Sequence, residues 1–583
     1  PVAARDGQAA QADVLAGIPA APGAASGPAA QFRPQLPVVE RRAAGDPATE
    51  WERLQAALGR ATAELERVQA AAARRAGPDE AAIFEAHRLV LQDPALLADV
   101  RERLAAGRLN AEAAWWDAIE ALAAEYGRLE DAYMRARAAD VQDVGRRVLR
   151  HLLGVERPSL ELARPAIVLA AELAPSDLAQ LERDSVLGLA TERGGATSHS
   201  AILARALGIP AVVGLGPALA EVADGQLLGL DGDAGRLWLR PDAAQQAALE
   251  AKRQRWLAER NRSRAAAQAP AVSRDGVRLE IGANIGRPEE VAPALEYGAE
   301  GVGLFRTEFS FLDRAAVPGE EEQFQAYRAA ADALGDRPLI IRSLDVGGDK
   351  PLPYLPMEAE ANPFLGRRGI RFCLDRPALF KGQLRAILRA GHGRNVRLML
   401  PMVATLAELR AAKGLLAEAQ AELAAEGLPH AADMPLGIMV EVPAAVVSAD
   451  LLAAEVDFLS LGTNDLAQYV MAAERGNPQV AALADAWQPA VLRLVAQTVE
   501  AGHAAGIWVG LCGELAADAL AAPLLLGLGL DELSMNAPAV PAVKAAIRAA
   551  SRAEARDLAQ RAFRQESAAA VRALLAAALK AAE

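Results

Sequence analysis

The C-terminal half of the sequence repeats one unit, an apolar strand followed by a helical segment, eight times between residues 272 and 583. Eight such units in about 300 residues are typical of a (β/α)8 TIM barrel, because each strand pairs in parallel with the next and the last closes on the first. This repeat therefore predicts a closed parallel barrel. The strands are predicted at 279–285, 301–306, 338–344, 396–402, 436–442, 456–462, 508–514 and 530–536.

The residues before the barrel predict a second α/β domain with a helical insertion, so that the whole chain is expected to be a multidomain α/β protein. Short apolar strands separated by turns lie on both sides of a long block in which apolar positions follow the helical period. The segment "VLAGIPAAPGAASGPAA" (14–30) is interpreted as a short strand followed by a Gly/Pro-rich turn. The predicted boundaries are 1–13 for a leader or linker, 14–31 and 156–240 for the α/β domain, 32–155 for the inserted helical subdomain, 241–271 for a charged linker helix and 272–583 for the barrel.

Charge and cysteine content exclude several classes of function. With 62 Lys and Arg against 75 Asp and Glu, the net charge is −13, which argues against nucleic acid or an anionic membrane as the main partner. We find no apolar run long enough to span a bilayer and no signal peptide. Cys373 and Cys512 lie far apart and indicate neither a disulfide framework nor a Cys-rich metal site. We therefore expect a cytoplasmic protein.

Polar side chains of the kind that bind ligands stand at or just beyond the carboxyl ends of several predicted strands. TIM barrels place their active sites on this face. Polar residues also resume wherever a strand stops, but several of them on one predicted face favour a site. They are Arg306, Arg342, Glu441, Asn464, Asp465, Cys512 and Glu514.

These residue types suit a small molecule with several negative charges. Neighbouring arginines bind a phosphate or a carboxylate by paired hydrogen bonds, and Arg475 with the pair Arg367–Arg368 can extend the cluster. Glu441 and Asp465 come from neighbouring strands, and Mg²⁺ typically takes one or two carboxylates together with water and substrate oxygens. The sequence therefore predicts an anionic substrate held by arginine and Mg²⁺.

A histidine in an unusual setting, His199, is the candidate nucleophile. It lies in "GGATSHSAILARALGIPAVVG" (194–214), where glycines and hydroxyl residues precede an apolar helical run. Free N–H groups at a helix N-terminus favour an anion, and Thr197, Ser198 and Ser200 supply hydroxyls. A neutral imidazole is a nucleophile at cellular pH, and its phosphorylated form is an anion. A lone histidine is more often structural, but this context favours phosphorylation of His199.

These segments together resemble enzyme I of the bacterial phosphoenolpyruvate:sugar phosphotransferase system, from about residue 14 to the C-terminus. The resemblance implies that phosphoenolpyruvate phosphorylates His199 and that the phosphohistidine then phosphorylates a histidine of the carrier HPr, the first step of sugar uptake. It also implies that the helical subdomain docks HPr and that the barrel forms a homodimer. Besides the His199 segment, the motifs that carry it are "GAEGVGLFRTEFSFLDR", "IIRSLDVGGDK", "NPFLGRRGIR", "GIMVEVPAA", "DFLSLGTNDLAQY" and "GLCGELA".

The resemblance also implies a role for each candidate site residue. Glu441 and Asp465 would hold Mg²⁺, and Asn464 would lie beside the phosphate of the substrate. Cys512 would protonate the enolate carbon, with a buried structural cysteine as the ordinary alternative. The residues that would bind phosphoenolpyruvate are Arg306, Arg342, Arg368 and Arg475.

Three positions depart from the family pattern. Ala196 stands where an arginine is common, Leu178 replaces a hydroxyl residue, and Glu474 replaces an aspartate. Ala196 leaves in doubt a positive contact near the phosphohistidine. Leu178 leaves in doubt a hydrogen bond to the histidine. None of the three removes a residue that carries the chemistry.

Two alternative functions remain open from the sequence. One is an ATP-dependent relative similar to pyruvate phosphate dikinase or phosphoenolpyruvate synthase, although these need a large ATP-grasp region and only 13 residues precede Val14. The other is a regulatory phosphocarrier without turnover, against which the complete barrel cluster argues. The leader is also compatible with the enzyme I module of a longer multiphosphoryl transfer protein.

Overall fold

A computed structural model describes most of the 583-residue chain. The described residues form two compact units, and the boundary between them lies between Glu259 and Arg260. The described ranges are 14–32, 39–43, 46–75, 87–88, 90–107, 109–128, 132–155, 162, 164–173, 185–195, 201, 204–205, 208–311, 316–348, 354–355, 360–475 and 480–582.

The first unit is built on a mixed sheet that has eight strands within the described ranges, in the order β1-β8-β7-β3-β4-β5-β6-β2. Strands β3 to β6 pair in parallel with one another, and the remaining pairs are antiparallel. The strands are β1 (Val14–Ala16), β2 (Ile18–Ala21), β3 (Ala24–Phe32), β4 (Ala166–Ala170), β5 (Val186–Thr191), β6 (Ala211–Val213), β7 (Leu227–Asp231) and β8 (Arg236–Trp238).

The interpretation of residues 14–30 as a short strand and a turn was wrong, because strand β3 runs through the Gly/Pro-rich part. Pro28 pairs with Leu227, the first residue of β7, and β3 changes from antiparallel pairing with β7 to parallel pairing with β4 from Ala29 onward. A proline is tolerated where the ladder changes partner and no N–H is required. Gly27 is needed because a Cβ there would overlap the side chain of Leu187.

Helices fill the segment between β3 and β4. They enclose their own apolar core, in which the indole of Trp115 is fully buried and donates a hydrogen bond to the Gly145 carbonyl at 3.0 Å. A buried indole N–H generally requires such an acceptor. The helices are α1 (Pro47–Arg75), α2 (Pro94–Gly107), α3 (Ala111–Arg128) and α4 (Ala132–Leu153).

The second unit is a closed parallel barrel, which confirms the predicted fold. Each of its eight strands pairs in parallel with the next, and the last pairs with the first through Glu280 and Glu532. A short antiparallel strand, β9 (Ala271–Val272), precedes the barrel. The barrel strands are β10 (Arg278–Ile285), β11 (Val302–Arg306), β12 (Leu339–Arg342), β13 (Val396–Leu400), β14 (Leu436–Val440), β15 (Phe458–Leu461), β16 (Trp508–Leu511) and β17 (Glu532–Met535).

Helices alternate with these strands and bury their apolar sides against the barrel. In the described part of the chain, no helix has the length and apolar composition needed to cross a membrane. Helix α5 (Ala243–Ala265), within the predicted linker, contains the boundary between the two units. The helices of the second unit are α6 (Val291–Glu296), α7 (Glu320–Leu334), α8 (Ile370–Leu374), α9 (Pro377–Ala390), α10 (Leu406–Ala425), α11 (Pro443–Val447), α12 (Ala449–Ala453), α13 (Thr463–Met471), α14 (Pro489–Ala504), α15 (Ala522–Leu528), α16 (Val540–Ala549), α17 (Arg552–Ala562) and α18 (Ala568–Ala582).

Several barrel strands end earlier than predicted. Strand β14 ends at Val440 and β16 at Leu511, whereas both were expected to continue for two or three residues. After β16 the chain packs tightly against the first residue of helix α13, since a Cβ on Gly513 would overlap the side chain of Thr463. The polar residues that follow these strands therefore lie at the rim of the barrel rather than inside its sheet.

Candidate active site

The carboxyl ends of the barrel strands bring most of the predicted site residues to one rim. Arg306 is the last residue of β11 and Arg342 the last of β12, and the two are paired in the strand register. Glu441 and Cys512 directly follow β14 and β16. Asp465 lies in the first turn of α13, after β15. The sheet therefore positions charged side chains and a thiol at this rim.

Arg342 is buried and held by carboxylates. Its Nη2 donates to Oε1 of Glu308 at 2.6 Å, and its Nη1 lies 3.3 Å from Oδ2 of Asp345. Burial opposes the charge of Arg342, but Glu308 and Asp345 outweigh it and raise the pKa of the guanidinium. The arginine is therefore a fixed cation at the end of its strand.

Arg368 bridges two carboxylates at the same rim. Its Nε and Nη2 donate to the two oxygens of Asp345, both at 3.1 Å, and its Nη1 and Nη2 donate to those of Asp465, both at 2.9 Å. The side chain is buried, which opposes its charge, but the two aspartates raise the pKa of the guanidinium. A planar guanidinium is suited to two such paired contacts.

A glycine lets the two loops of this bridge approach each other. Gly347 has φ +105°, and a Cβ at this position would overlap the backbone oxygen of Arg367. The loop that carries Asp345 therefore packs directly against the backbone that carries Arg368, and a larger residue would separate the pair.

Glu441 is the carboxyl group whose protonation is most altered in the site. Burial, with the nearby carboxylates of Asp465 and Asp345, raises the pKa of Glu441 to about 8, although Arg342 acts in the opposite direction. Its Oε1 accepts a hydrogen bond from the Met402 amide at 2.7 Å. Met402 has φ +59°, an uncommon conformation for a residue other than glycine, which directs its N–H to the carboxyl group.

The pKa of Asp465 is shifted in the opposite direction from that of Glu441. Burial opposes its charge, but Arg368 and Arg475 lower the pKa of the carboxyl group. Arg475 lies further from it, with Nη1 3.8 Å from Oδ1. Asp465 is therefore ionised, whereas its neighbour Glu441 is mainly protonated at neutral pH in the absence of a further cation.

Cys512 is a buried thiol above the apolar interior of the barrel. Its Sγ accepts a hydrogen bond from the Ser460 hydroxyl at 3.4 Å and donates to the Leu461 carbonyl at 3.7 Å. It belongs to an interior cluster that includes Met439 and Phe458. Burial raises the pKa of the thiol to about 12, so the sulfur keeps its proton at neutral pH. A protonated thiol is a proton donor rather than a nucleophile.

Two further predicted residues, Asn464 and Arg306, lie at this rim. Asn464 exchanges two hydrogen bonds with Glu514, at 3.2 and 3.0 Å. The guanidinium of Arg306 lies 5.6 Å from the ring centre of Phe309. Both are adjacent in sequence or register to the charged cluster.

Sequence reasoning missed two members of the cluster, Glu308 and Asp345. Both are almost completely buried and hold Arg342, and Asp345 also holds Arg368. They lie two and three residues beyond the ends of their strands. The same position at strand ends that pointed to Arg306 and Glu441 could have found them.

The candidate nucleophile, His199, lies outside the described residues, as do Thr197, Ser198, Ser200, Ala196 and Leu178. The described residues around it fit the predicted setting in part. Strand β5 ends at Thr191, and Ala201 and Ala204 are helical and buried. These described residues lie on either side of the segment that contains His199, and its role stays a prediction.

The residues at the rim fit a divalent cation. No group of three or more His, Cys, Asp and Glu side chains in the described ranges is arranged as a complete metal site. Mg²⁺, however, commonly takes one or two carboxylates and completes its shell with water and substrate oxygens. The raised pKa of Glu441 beside Asp465 marks an excess of buried carboxyl groups, which a cation would relieve.

Family models match this chain in three places. The model of the PEP-binding domain of PEP-utilising enzymes matches residues 260–552, that of their N-terminal domain matches 16–137, and that of their mobile domain matches 162–235. Together with the barrel and its rim of arginines and carboxylates, these matches define the class of the protein, a phosphoenolpyruvate-utilising enzyme.

Full-length relatives narrow the class to one family. The phosphoenolpyruvate-protein phosphotransferase of Geobacillus stearothermophilus is 44% identical over 94% of this chain and 95% of its own length, and that of Bacillus subtilis (strain 168) is 42% identical over 93% and 95%. A multiphosphoryl transfer protein of Rhodobacter capsulatus is 46% identical over 96% of this chain and 67% of its own length. The chain belongs to the phosphoenolpyruvate-protein phosphotransferase family, which confirms the resemblance seen in its motifs.

Proposed function

We propose that this protein transfers the phosphoryl group of phosphoenolpyruvate to His199 and then to a histidine of the carrier protein HPr, the first step of sugar uptake by the phosphotransferase system. The observation that carries the proposal is the buried cluster of arginines and carboxyl groups at the carboxyl rim of a barrel that belongs to this enzyme family. Phosphoryl transfer depends mainly on positioning and on cations that balance the developing charge, and such a cluster supplies both.

The arginines bind and orient phosphoenolpyruvate in this proposal. Arg306, Arg342, Arg368 and Arg475 face its phosphate and carboxylate, and Asn464 lies beside the phosphate. Because Arg342 and Arg368 are already fixed by carboxylates, they lose little freedom when the substrate binds. Glu441 and Asp465 would hold Mg²⁺, which supplies positive charge against the phosphate oxygens when bound.

The transfer itself is a displacement at phosphorus. An imidazole nitrogen of His199 forms a P–N bond while the bond from phosphorus to the enol oxygen breaks, and the electron pair of that bond stays on the enolate. The ring releases the proton of its other nitrogen to solvent. The P–N bond later breaks as a histidine of HPr forms its own.

Cys512 completes the reaction as the proton donor. The thiol transfers its proton to the methylene carbon of the enolate, which gives pyruvate, and the thiolate recovers a proton from solvent. The high pKa of the thiol, about 12, keeps it protonated at neutral pH. The enolate is a strong base, so the transfer is favourable.

Labelling with ³²P-phosphoenolpyruvate tests the covalent step. The wild-type protein is expected to carry a label that is lost in acid and stable in base, as a phosphoramidate is, and His199→Ala is expected to carry none. Acid-stable label on the wild type, or label on the variant, would reject the proposal.

Three further assignments accompany this function. The helical subdomain (32–155) would dock HPr, and the barrel would form a homodimer through an exposed apolar face that includes Val447 and Leu451. We assign the reaction to the cytoplasm, in keeping with the free thiols of Cys373 and Cys512.

No observation favours the ATP-dependent alternative, which predicts ATP-dependent turnover of pyruvate. Release of pyruvate measured with and without HPr separates an active transferase from a carrier without turnover.

A further inference from the structure

The opposite end of the barrel contains a small cavity with a buried carboxyl group. The cavity lies at the amino ends of the strands, away from the rim described above, and its volume of about 10 Å³ leaves room for roughly one water-sized species. Its lining includes Glu280, Pro338, Arg397, Trp508 and Glu532.

Glu532 is the innermost polar group of this cavity. It is the first residue of β17 and is only 5% exposed. Neither of its carboxyl oxygens has a hydrogen-bond partner among the described residues. An unpaired buried carboxyl group is costly, and such groups in native proteins generally have a bound partner.

Three glycines on neighbouring strands make room for this carboxyl group. A Cβ at Gly282 would lie 2.8 Å from Oε1 of Glu532, and one at Gly303 would overlap the same atom. A Cβ at Gly510 would overlap Oε2. Strands β10, β11 and β16 thus each lack a side chain at the place that Glu532 occupies. The barrel therefore leaves space for a carboxyl group at this position.

The charges around the cavity favour a positive occupant. Glu280 pairs with Glu532 in the strand register and lines the same cavity. The one guanidinium in the lining, that of Arg397, lies over the ring of Trp508, 5.3 Å from its centre. The lining therefore contains two carboxyl groups and one cationic side chain. Consistent with this excess, burial and then Glu280 raise the pKa of Glu532 to about 8, although Arg397 opposes them.

We propose that this cavity binds a monovalent cation of about the size of a water molecule, such as K⁺ or NH₄⁺, with Glu532 as its principal ligand. The size of the cavity excludes an organic ligand. When both are ionised, the two carboxyl groups and the single guanidinium of the lining leave one net negative charge, which a monovalent ion balances. A bound cation supplies the partner that the buried carboxylate lacks and stabilises the amino end of the barrel.

Diffraction with Tl⁺, an anomalous scatterer that replaces K⁺, tests the position of the cation. Crystals of the full chain soaked in a thallium salt above the pKa of Glu532 are expected to show an anomalous peak in contact with its carboxylate. The peak is expected to disappear in Glu532→Gln. A soaked wild-type crystal with no peak at Glu532, or with water alone there, would overturn the proposal. This outcome does not depend on whether any variant folds.

Thermal unfolding in solution provides a second test. At the same pH, the Tm of the wild-type protein is expected to rise with the concentration of KCl or NH₄Cl relative to equal concentrations of choline chloride. The rise should be lost in Glu532→Gln and in Gly303→Ala, which fills the space of the carboxyl group. Glu296→Gln, a change of the same kind at an exposed position of the same unit, should keep it. An equal rise in all four proteins would overturn the assignment to this cavity.

Discussion

The bridge made by Arg368 gives the most direct test of the proposed substrate site. Arg368 makes four hydrogen bonds to Asp345 and Asp465, at 2.9 to 3.1 Å, and is buried. Lysine keeps the positive charge, but its single ammonium cannot donate in pairs to two carboxylates at once. Arg368→Lys therefore separates the effect of geometry from that of charge.

The structure gives a magnitude for this change. At least two of the four charge-assisted hydrogen bonds are lost, and at about 1.5 kcal/mol each this amounts to about 3 kcal/mol of positioning energy. If the transition state uses the whole of this energy, kcat/KM for phosphoenolpyruvate falls by about two powers of ten.

The assay measures two half-reactions. Release of pyruvate from phosphoenolpyruvate is expected to fall in Arg368→Lys, whereas transfer from phospho-HPr to His199 is expected to stay at the wild-type rate, because it involves no enolpyruvate. Arg371→Lys is the matched control. Arg371 pairs with Glu408 at 3.2 Å and is partly exposed, so its change is expected to cost less than about 1 kcal/mol.

Wild-type kcat/KM in Arg368→Lys would refute the reasoning, because the paired contacts would then contribute nothing to the transition state. An equal loss in both half-reactions would indicate a folding defect instead. The Tm of each variant, measured beside its activity, distinguishes these outcomes.

Three other changes have defined outcomes. Cys512→Ala is expected to slow pyruvate formation by about two powers of ten, with phospho-HPr exchange unchanged. With phosphoenolpyruvate that carries tritium stereospecifically at its methylene carbon, the wild-type protein in D₂O is expected to form a chiral methyl group and the variant a racemic one; an unaltered chiral product would exclude the thiol as proton donor. The folded-state pKa of Glu532, about 8, lies above its ordinary value of 4.5, so in choline buffer the stability that this group contributes is lost as pH rises from about 4.5 to 8. Urea unfolding should therefore show a loss of up to about 1.4 kcal/mol per pH unit in that window that Glu532→Gln lacks, and parallel pH profiles would contradict this. Val447→Glu with Leu451→Glu is expected to prevent dimer formation in analytical ultracentrifugation, since both side chains are exposed and apolar; a dimer of wild-type stability would place the interface elsewhere.

The sequence predicted the barrel and much of its rim because both follow from local patterns. A strand inside a parallel barrel must be apolar, and a helix must cover it, so the eightfold repeat is visible without the structure. The side chains that end these strands lie together at one rim, because all strands of a parallel barrel end at the same face. Arg342, Glu441 and Cys512 could therefore be grouped from their positions in sequence alone.

The pairings within the rim could not be predicted in this way. Glu308 and Asp345 appear as ordinary polar residues at the start of a loop, and their roles depend on how separate loops close over the barrel. Strand β3 continues through Pro28 because its partner changes there, which no local pattern indicates. Glu532 lies within the predicted strand 530–536, but the sequence does not show that closure of the barrel buries its carboxyl group.

The carboxylates that hold the arginines have a consequence for how an anion is recognised. Four guanidinium groups, those of Arg306, Arg342, Arg368 and Arg475, share the rim with the carboxyl groups of Glu308, Asp345, Glu441 and Asp465. Because Glu441 is mainly protonated, the three ion-paired carboxylates offset three of the four cations, so the rim projects only a weak field into solution and attracts distant anions only weakly. Selectivity then arises at contact, where a ligand must match the spacing of cations that already have partners. A molecule with two anionic groups can contact more of these fixed cations at once than a simple anion can, so the arrangement favours such a molecule.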